Sequence, residues 1–167
     1  MRNILARGLV ALGNSASKLQ SLQLRLLAGE VKDNVEHLEP YGFTACPQEG
    51  AEALAGFIGG DRSHAVVIVI ADRRFRLQGL KSGEVALYTD EGDRLHFKRG
   101  RIIDIDTVTL NVKASASVNF DTPLITSTGR IESAGDQVAG GVSQIEHLHD
   151  GVLVGQALSG PPVGGEA

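Results

Sequence analysis

From residue 108 to residue 120 the sequence sets an apolar side chain at every second position: Val108, Leu110, Val112, Ala114, Ala116, Val118 and Phe120, with threonine, asparagine, lysine and serine between them. Period-two alternation is the pattern of an extended strand with one face buried. The run far exceeds the usual strand of about five or six residues. A single ribbon has nothing of its own against which to bury such a row, and left exposed it is an aggregation hazard. Copies of the same ribbon wound about a threefold axis would bury it, with the small Ala114 and Ala116 facing the narrow interior. A long edge hairpin on an upstream barrel is the alternative. Ile103 and Ile105 stand on the opposite parity, so a one-residue slip is expected near Asp106 and Thr107.

Upstream the texture is different. Leu22, Leu24 and Leu26 alternate with Gln23 and Arg25 and predict a half-buried strand ending near Gly29. A weaker polar strand over 31–38 is closed by Pro40, Tyr41 and Gly42. Runs at 51–58 and 64–71 flank Gly59, Gly60 and Asp61, which is hairpin chemistry. The β-branched run from Val66 to Ile70 is expected to be the most buried strand, and further strands are expected at 75–80 and 84–88. Strands this short and closely spaced point to a small closed or nearly closed barrel. Thin β-structure of this kind also fits a chain with no tryptophan and 21 glycines.

At the N-terminus, Ile4, Leu5, Leu9 and Leu12 form a helical stripe stopped by Gly13 and Asn14, read as a docking helix for another protein or a cap on the first domain. Arg7 interrupts the stretch and no small-residue cleavage site follows, so it is not read as a signal peptide. No run approaches the roughly 20 apolar residues of a membrane span. The formal net charge of −4 argues against a nucleic-acid or anionic-membrane surface. The single Cys46 rules out an internal disulfide framework, fits folding in a reducing cytoplasm, and reads as a small half-buried residue before Pro47.

One short motif carries chemistry. In an extended chain, residues i and i+2 share a side, so His147 and His149 can both face a threefold axis. Three chains then offer six imidazoles in two layers, a donor set for an octahedral first-row transition metal, with iron ahead of nickel or zinc. Zinc prefers four ligands. One chain supplies too few ligands for a closed site, so metal binding would depend on trimerisation. Glu146 and Asp150 are either groups that orient the ring nitrogens or solvated carboxylates. Ordinary surface histidines are the competing reading, and His37 and His96 are read that way, as strand-surface residues. The glycine- and proline-bearing segment through Ser159, Gly160, Pro161 and Pro162 follows with little secondary-structure propensity.

The ordered run LLAGEVKDNVEHLEPYGFTACPQEGAEALAGFIGGDRSHAVVIVIADRRFRLQGLKSGEVALYTDEGDRLHF, residues 26–97, is the densest part of a whole-chain resemblance. The chain resembles the baseplate assembly protein V family of contractile phages, and most closely its Mu-like gp45 central spikes. The resemblance implies a mainly β protein: an N-terminal OB-fold barrel followed by a trimeric intertwined β-helix ending in a pointed tip. It further implies a virion protein at the tail baseplate tip, attached to hub proteins and crossing the host outer membrane when the sheath contracts. Some members carry a His-x-His iron site at the apex, one ion per trimer with six histidine ligands. Only His147 and His149 match that motif. Related tips often read His-Thr-His before Gly-Gly, whereas Leu148 and Asp150 stand here, and Leu148 would point off the axis towards a neighbouring chain. Some relatives also hold calcium or chloride on the axis. Asp104, Asp106 and Asp121 are the oxygen ligands available for such an ion, or else residues of an exposed β-face.

The expected organisation is a docking helix at 1–14, an OB-fold domain at 15–90, a triple-stranded β-helix at 91–143, and a metal-binding apex with tail at 144–167. The expected function is structural, with no catalysis, and homotrimeric. The alternative is an OB-fold binding module for nucleic acid or another protein. A nucleic-acid binder needs a basic groove and stacking aromatics, which an acidic chain poor in aromatics does not favour. A hydrolase built on Asp61, Ser63 and His64 fails on reach, because the three lie within one turn.

Overall fold

Leu22, Leu24 and Leu26 are all buried along one strand, and that row is one wall of a closed five-stranded barrel. In the computed structural model, which describes residues 4–151 and residue 155, the chain divides into two compact units, Met1–Lys113 and Ala114–Ala167. The barrel is built from β1 (Leu5–Asn14), β2 (Ser21–Leu26), β3 (Val31–His37), β4 (Glu52–Phe57) and β5 (Ala65–Ala71). The closed order is β1-β2-β3-β5-β4, with β4 pairing back onto β1. All pairings are antiparallel except β3 with β5, which meet in parallel through Glu36–Val66 and His37–Val67. Inward positions are filled by Val10, Leu22, Leu24, Leu26, Val35, Ala53, Ala55, Phe57 and Val67. Alanines on β4 leave room in so narrow a barrel for a single large ring, that of Phe57.

The first unit continues with a three-stranded antiparallel sheet, β6 (Val85–Tyr88), β7 (Arg94–Lys98) and β8 (Ile102–Asp106). No strand or helix forms between Asp106 and Val138. In the second unit, β9 (Val138–Ala139) and β10 (Val142–Ser143) form a hairpin about Gly140 and Gly141. Both glycines take positive φ, 59° and 85°, as a two-residue type I′ turn requires.

Several expectations are corrected. The stripe of Ile4, Leu5, Leu9 and Leu12 is no helix, because residues 5–14 are barrel strand β1. A register shift between Val10 and Leu12 breaks the period-two pattern and makes the outward leucines mimic helical spacing. Gly8 records how closely β1 and β2 approach, since a Cβ there would lie 2.6 Å from the Arg25 carbonyl oxygen. The barrel therefore starts at residue 5 rather than 15. Residue 90 is no boundary, because it falls in the turn joining β6 to β7.

The run from Val66 to Ile70 is not the most buried strand. A register shift against β4 between Leu54 and Ala55 adds a residue, so Val67 is enclosed while Ile68 and Val69 are half exposed. β4 is the better buried strand. Residues 75–80 form no strand, and the Asp72 carbonyl instead accepts the N–H groups of Phe75 and Arg76 in a turn. Cys46 is exposed, not half-buried. The first three residues of the expected helix and the segment holding Ser159, Gly160, Pro161 and Pro162 lie outside the described residues.

Candidate functional site

Cross-strand register makes the β6–β8 sheet two-faced. Val85 faces Phe97, which faces Ile103, and Leu87 faces Leu95, which faces Ile105. Six apolar side chains thus share one face. Five are open to solvent within this chain, from 42% exposed at Phe97 to 61% at Val85. The opposite face carries charge. Arg94 bridges Asp106 at 2.6 Å, Lys98 bridges Asp104 at 2.8 Å, and His96 Nε2 stands 3.3 Å from the Glu84 carboxylate. Glu84 also accepts the backbone N–H groups of Lys81 at 2.9 Å and Arg99 at 3.1 Å. These, Lys81 first, hold its carboxyl below the usual carboxylate range. The Lys98 ammonium does the same for Asp104. His96 is thus a half-buried residue beside the Glu84 carboxylate and not a free surface residue.

His37 departs further from the surface reading. It is buried, and its Nδ1 lies 3.2 Å from Gln20 Oε1, whose amide nitrogen donates to the Ala45 carbonyl at 2.9 Å. With Gln20 Oε1 acting as acceptor, the His37 proton sits on Nδ1. The pair ties the loop after β3 to the barrel. It is a structural bond and not a ligand set.

Beyond Asp106 the alternating ribbon has no partner strand among the described residues. Its apolar row is open, from Val118 at 50% to Val108 at 100% exposed. Among the described residues two apolar surfaces are therefore left uncovered, the sheet face and the ribbon row.

The hairpin in the second unit carries the histidines. Asp136 Oδ1 accepts the N–H of Gln144 at 3.0 Å and of Ile145 at 3.3 Å, and the Gln144 N–H is shared with the Gln137 carbonyl at 2.9 Å. The Ser143 hydroxyl accepts the Glu146 N–H at 2.8 Å. The Ser143 carbonyl receives His147 Nδ1 at 2.8 Å. A carbonyl can only accept, so that nitrogen carries the proton and the neutral ring keeps its lone pair on Nε2. His149 stands beside it, ring centroids 5.0 Å apart and planes at 82°. The structure thus brings His147 and His149 together, and the partner of His147 is the Ser143 carbonyl rather than Glu146 or Asp150. Among the described residues no three His, Cys, Asp or Glu side chains cluster closely enough in one chain to hold a metal ion. Two adjacent imidazoles, one with its Nδ1 proton engaged, would suit a metal ion only if further ligands came from other chains.

Asp61 and Ser63 serve a turn. The Asp61 carboxylate accepts both the Ser63 N–H and its hydroxyl. Sequence reasoning missed Asp136, Ser143 and the sheet face. Gly-Gly between short apolar pairs was the available signal for the hairpin, and opposed apolar pairs at 85/87, 95/97 and 103/105 were the signal for the face.

A family model described as Bacteriophage Mu Gp45, N-terminal, matches residues 7–74, which spans the barrel. The "Baseplate puncturing device gp45" of Escherichia phage Mu is 36% identical over 169 residues, covering 90% of this chain and 85% of that one. The chain belongs to the Mu gp45 family. The "Mu-like prophage FluMu protein gp45" of Haemophilus influenzae is likewise 36% identical, over 159 residues, covering 88% of this chain and 86% of its own.

Proposed function

We propose that this chain is the central spike at the tail baseplate of a contractile phage-type particle, a homotrimer that pierces the host outer membrane as the sheath contracts. Its relative in phage Mu carries the name of a baseplate puncturing device. The observation that carries the reading is the uncovered face of Val85, Leu87, Leu95, Phe97, Ile103 and Ile105, which runs in sequence into an equally uncovered ribbon. Apolar surface so arranged gains stability in proportion to the area removed from water. A symmetric set of copies offers each chain the same complementary surface. Three ribbons exchanging backbone hydrogen bonds would leave few free edges and a stiff shaft. No catalytic step is needed, since shape and stiffness perform the work.

In this reading the barrel meets the tail hub, and the His147/His149 pairs of three chains hold one iron ion at the apex. When bound, the metal supplies a cross-link between chain ends. Calcium or chloride on the axis, with Asp104, Asp106 or Asp121 as oxygen donors, belongs to the same reading. The four arginines that line a groove on the barrel, Arg7, Arg25, Arg73 and Arg74, stand among Glu49, Glu52 and Asp72, with Arg73 and Arg74 paired to Glu52 and Asp72. A phosphate backbone would meet a largely neutralised surface there, which favours the spike over a nucleic-acid binder.

Sedimentation equilibrium or native mass measurement of the purified full chain tests the proposal. A species of three chains is expected, and a stable monomer would sink it.

A further inference from the structure

The histidine pair does not stand on a free tail. Asp136 reaches across the base of the β9–β10 hairpin and collects the N–H groups of Gln144 and Ile145. The Ser143 hydroxyl also donates to its carboxylate. The same Ser143 accepts the Glu146 N–H on its hydroxyl and His147 Nδ1 on its carbonyl. One carboxylate thus anchors the residue on which the imidazole hangs, with Gly140 and Gly141 closing the other end of the hairpin. Its hydrogen bonds go to Gln137, Ser143, Gln144 and Ile145 and not to either histidine.

From this geometry we infer that Asp136 is a positioning residue for the metal clamp: it fixes the Ser143 turn, and through it the tautomer and placement of His147, within each chain before three chains meet. The inference rests on the clamp reading given above. Its physical content is preorganisation. A ligand whose ring and tautomer are already set loses less conformational freedom on binding, and groups that orient metal-bound histidines typically govern affinity by about 10–100-fold.

The test is a Co2+ titration of the full-length protein, followed by the visible ligand-field absorption of the bound ion, with assembly state checked by sedimentation. Wild type is expected to take up one Co2+ per three chains. Asp136→Ala is expected to bind about 10–100-fold more weakly, with a changed absorption envelope. Asp136→Asn keeps an oxygen acceptor in place and is expected to recover most of the affinity. If Asp136→Ala fails to assemble, Ser143→Ala, which removes the hydroxyl linking Asp136 to Glu146, is expected to weaken binding in the same direction. Wild-type affinity with an unchanged spectrum in Asp136→Ala, or in Ser143→Ala where that variant replaces it, overturns the positioning role and leaves the clamp intact. Asp136→Asn binding as poorly as Asp136→Ala also overturns it. A wild type that takes up no Co2+, or a His147→Ala, His149→Ala variant that takes up as much, overturns the clamp itself.

Discussion

His147 Nδ1 donates to the carbonyl oxygen of Ser143 at 2.8 Å, which leaves Nε2 as the nitrogen able to bind a metal. The ring of His149 lies edge-on at 5.0 Å between centroids. In the proposed clamp, ligand and backbone roles would be divided between the two nitrogens of one ring, as in many metal sites whose histidines are oriented from behind.

The first prediction concerns this pair. Changing both His147 and His149 to alanine should leave the assembly intact, because in the proposed trimer the chains are held by the apolar sheet face and ribbon and not by the histidines. Bound transition metal, expected at one ion per three wild-type chains, should disappear on elemental analysis. The distal part should melt earlier. Loss of assembly in the double variant would contradict the division between shaft and clamp.

A second prediction addresses the sheet face. Phe97 lies between Val85 and Ile103 at the centre of the apolar row. An aspartate there would require a charge to be buried without a partner, which an interface core does not tolerate. Phe97→Asp should give monomers in sedimentation while the barrel unfolds much as in wild type, since Phe97 contributes nothing to the barrel core. A Phe97→Asp protein that remains trimeric would show that this face is not the interface.

Most of the strands were legible because period-two alternation is local. Leu22, Leu24 and Leu26 announce β2 from sequence alone. What failed did so for one physical reason, the register shift. Bulges in β1 and β5 reset parity within a strand, so Leu5, Leu9 and Leu12 imitate a helix and Ile68 leaves the core. That His147 and His149 stand side by side was legible from spacing. The carboxylate that anchors their hairpin was not, because Asp136 acts on backbone N–H groups eight and nine residues away and any sequence offers that donor. His37 was misread because only the closed barrel sets Gln20 opposite it.

The third prediction is a pH dependence. The N–H groups of Lys81 and Arg99, with His96 beside them, hold the Glu84 carboxyl below its ordinary range. The folded value is therefore below the unfolded one. The stabilisation is fully present above the unfolded value, about 4.3, and is lost as pH falls through the folded value. Glu84→Gln should flatten the loss of stability below about pH 4 in denaturant melts while changing its neutral-pH assembly little. An acid profile identical to wild type would remove Glu84 from the account.

The last prediction separates the barrel's interior from its outer wall. Leu24 is completely enclosed, whereas Leu9, on the neighbouring strand, is 47% exposed. Leu24→Ala removes buried methyl groups and leaves a cavity, and should cost about 2–5 kcal/mol in chemical denaturation. Leu9→Ala should change stability by no more than about 0.5 kcal/mol. Gly8 provides the opposite experiment, because added volume there meets the backbone of Arg25, which cannot turn away, as well as the Leu26 side chain. A methyl group 2.6 Å from the Arg25 carbonyl oxygen must part β1 from β2, so Gly8→Ala should destabilise the barrel by about 1–3 kcal/mol. Equal losses at Leu9 and Leu24 would mean that the outer face of β1 is covered in the assembly. In that case, repeating the Leu9 measurement below the dissociation concentration should return its effect to that of an exposed site.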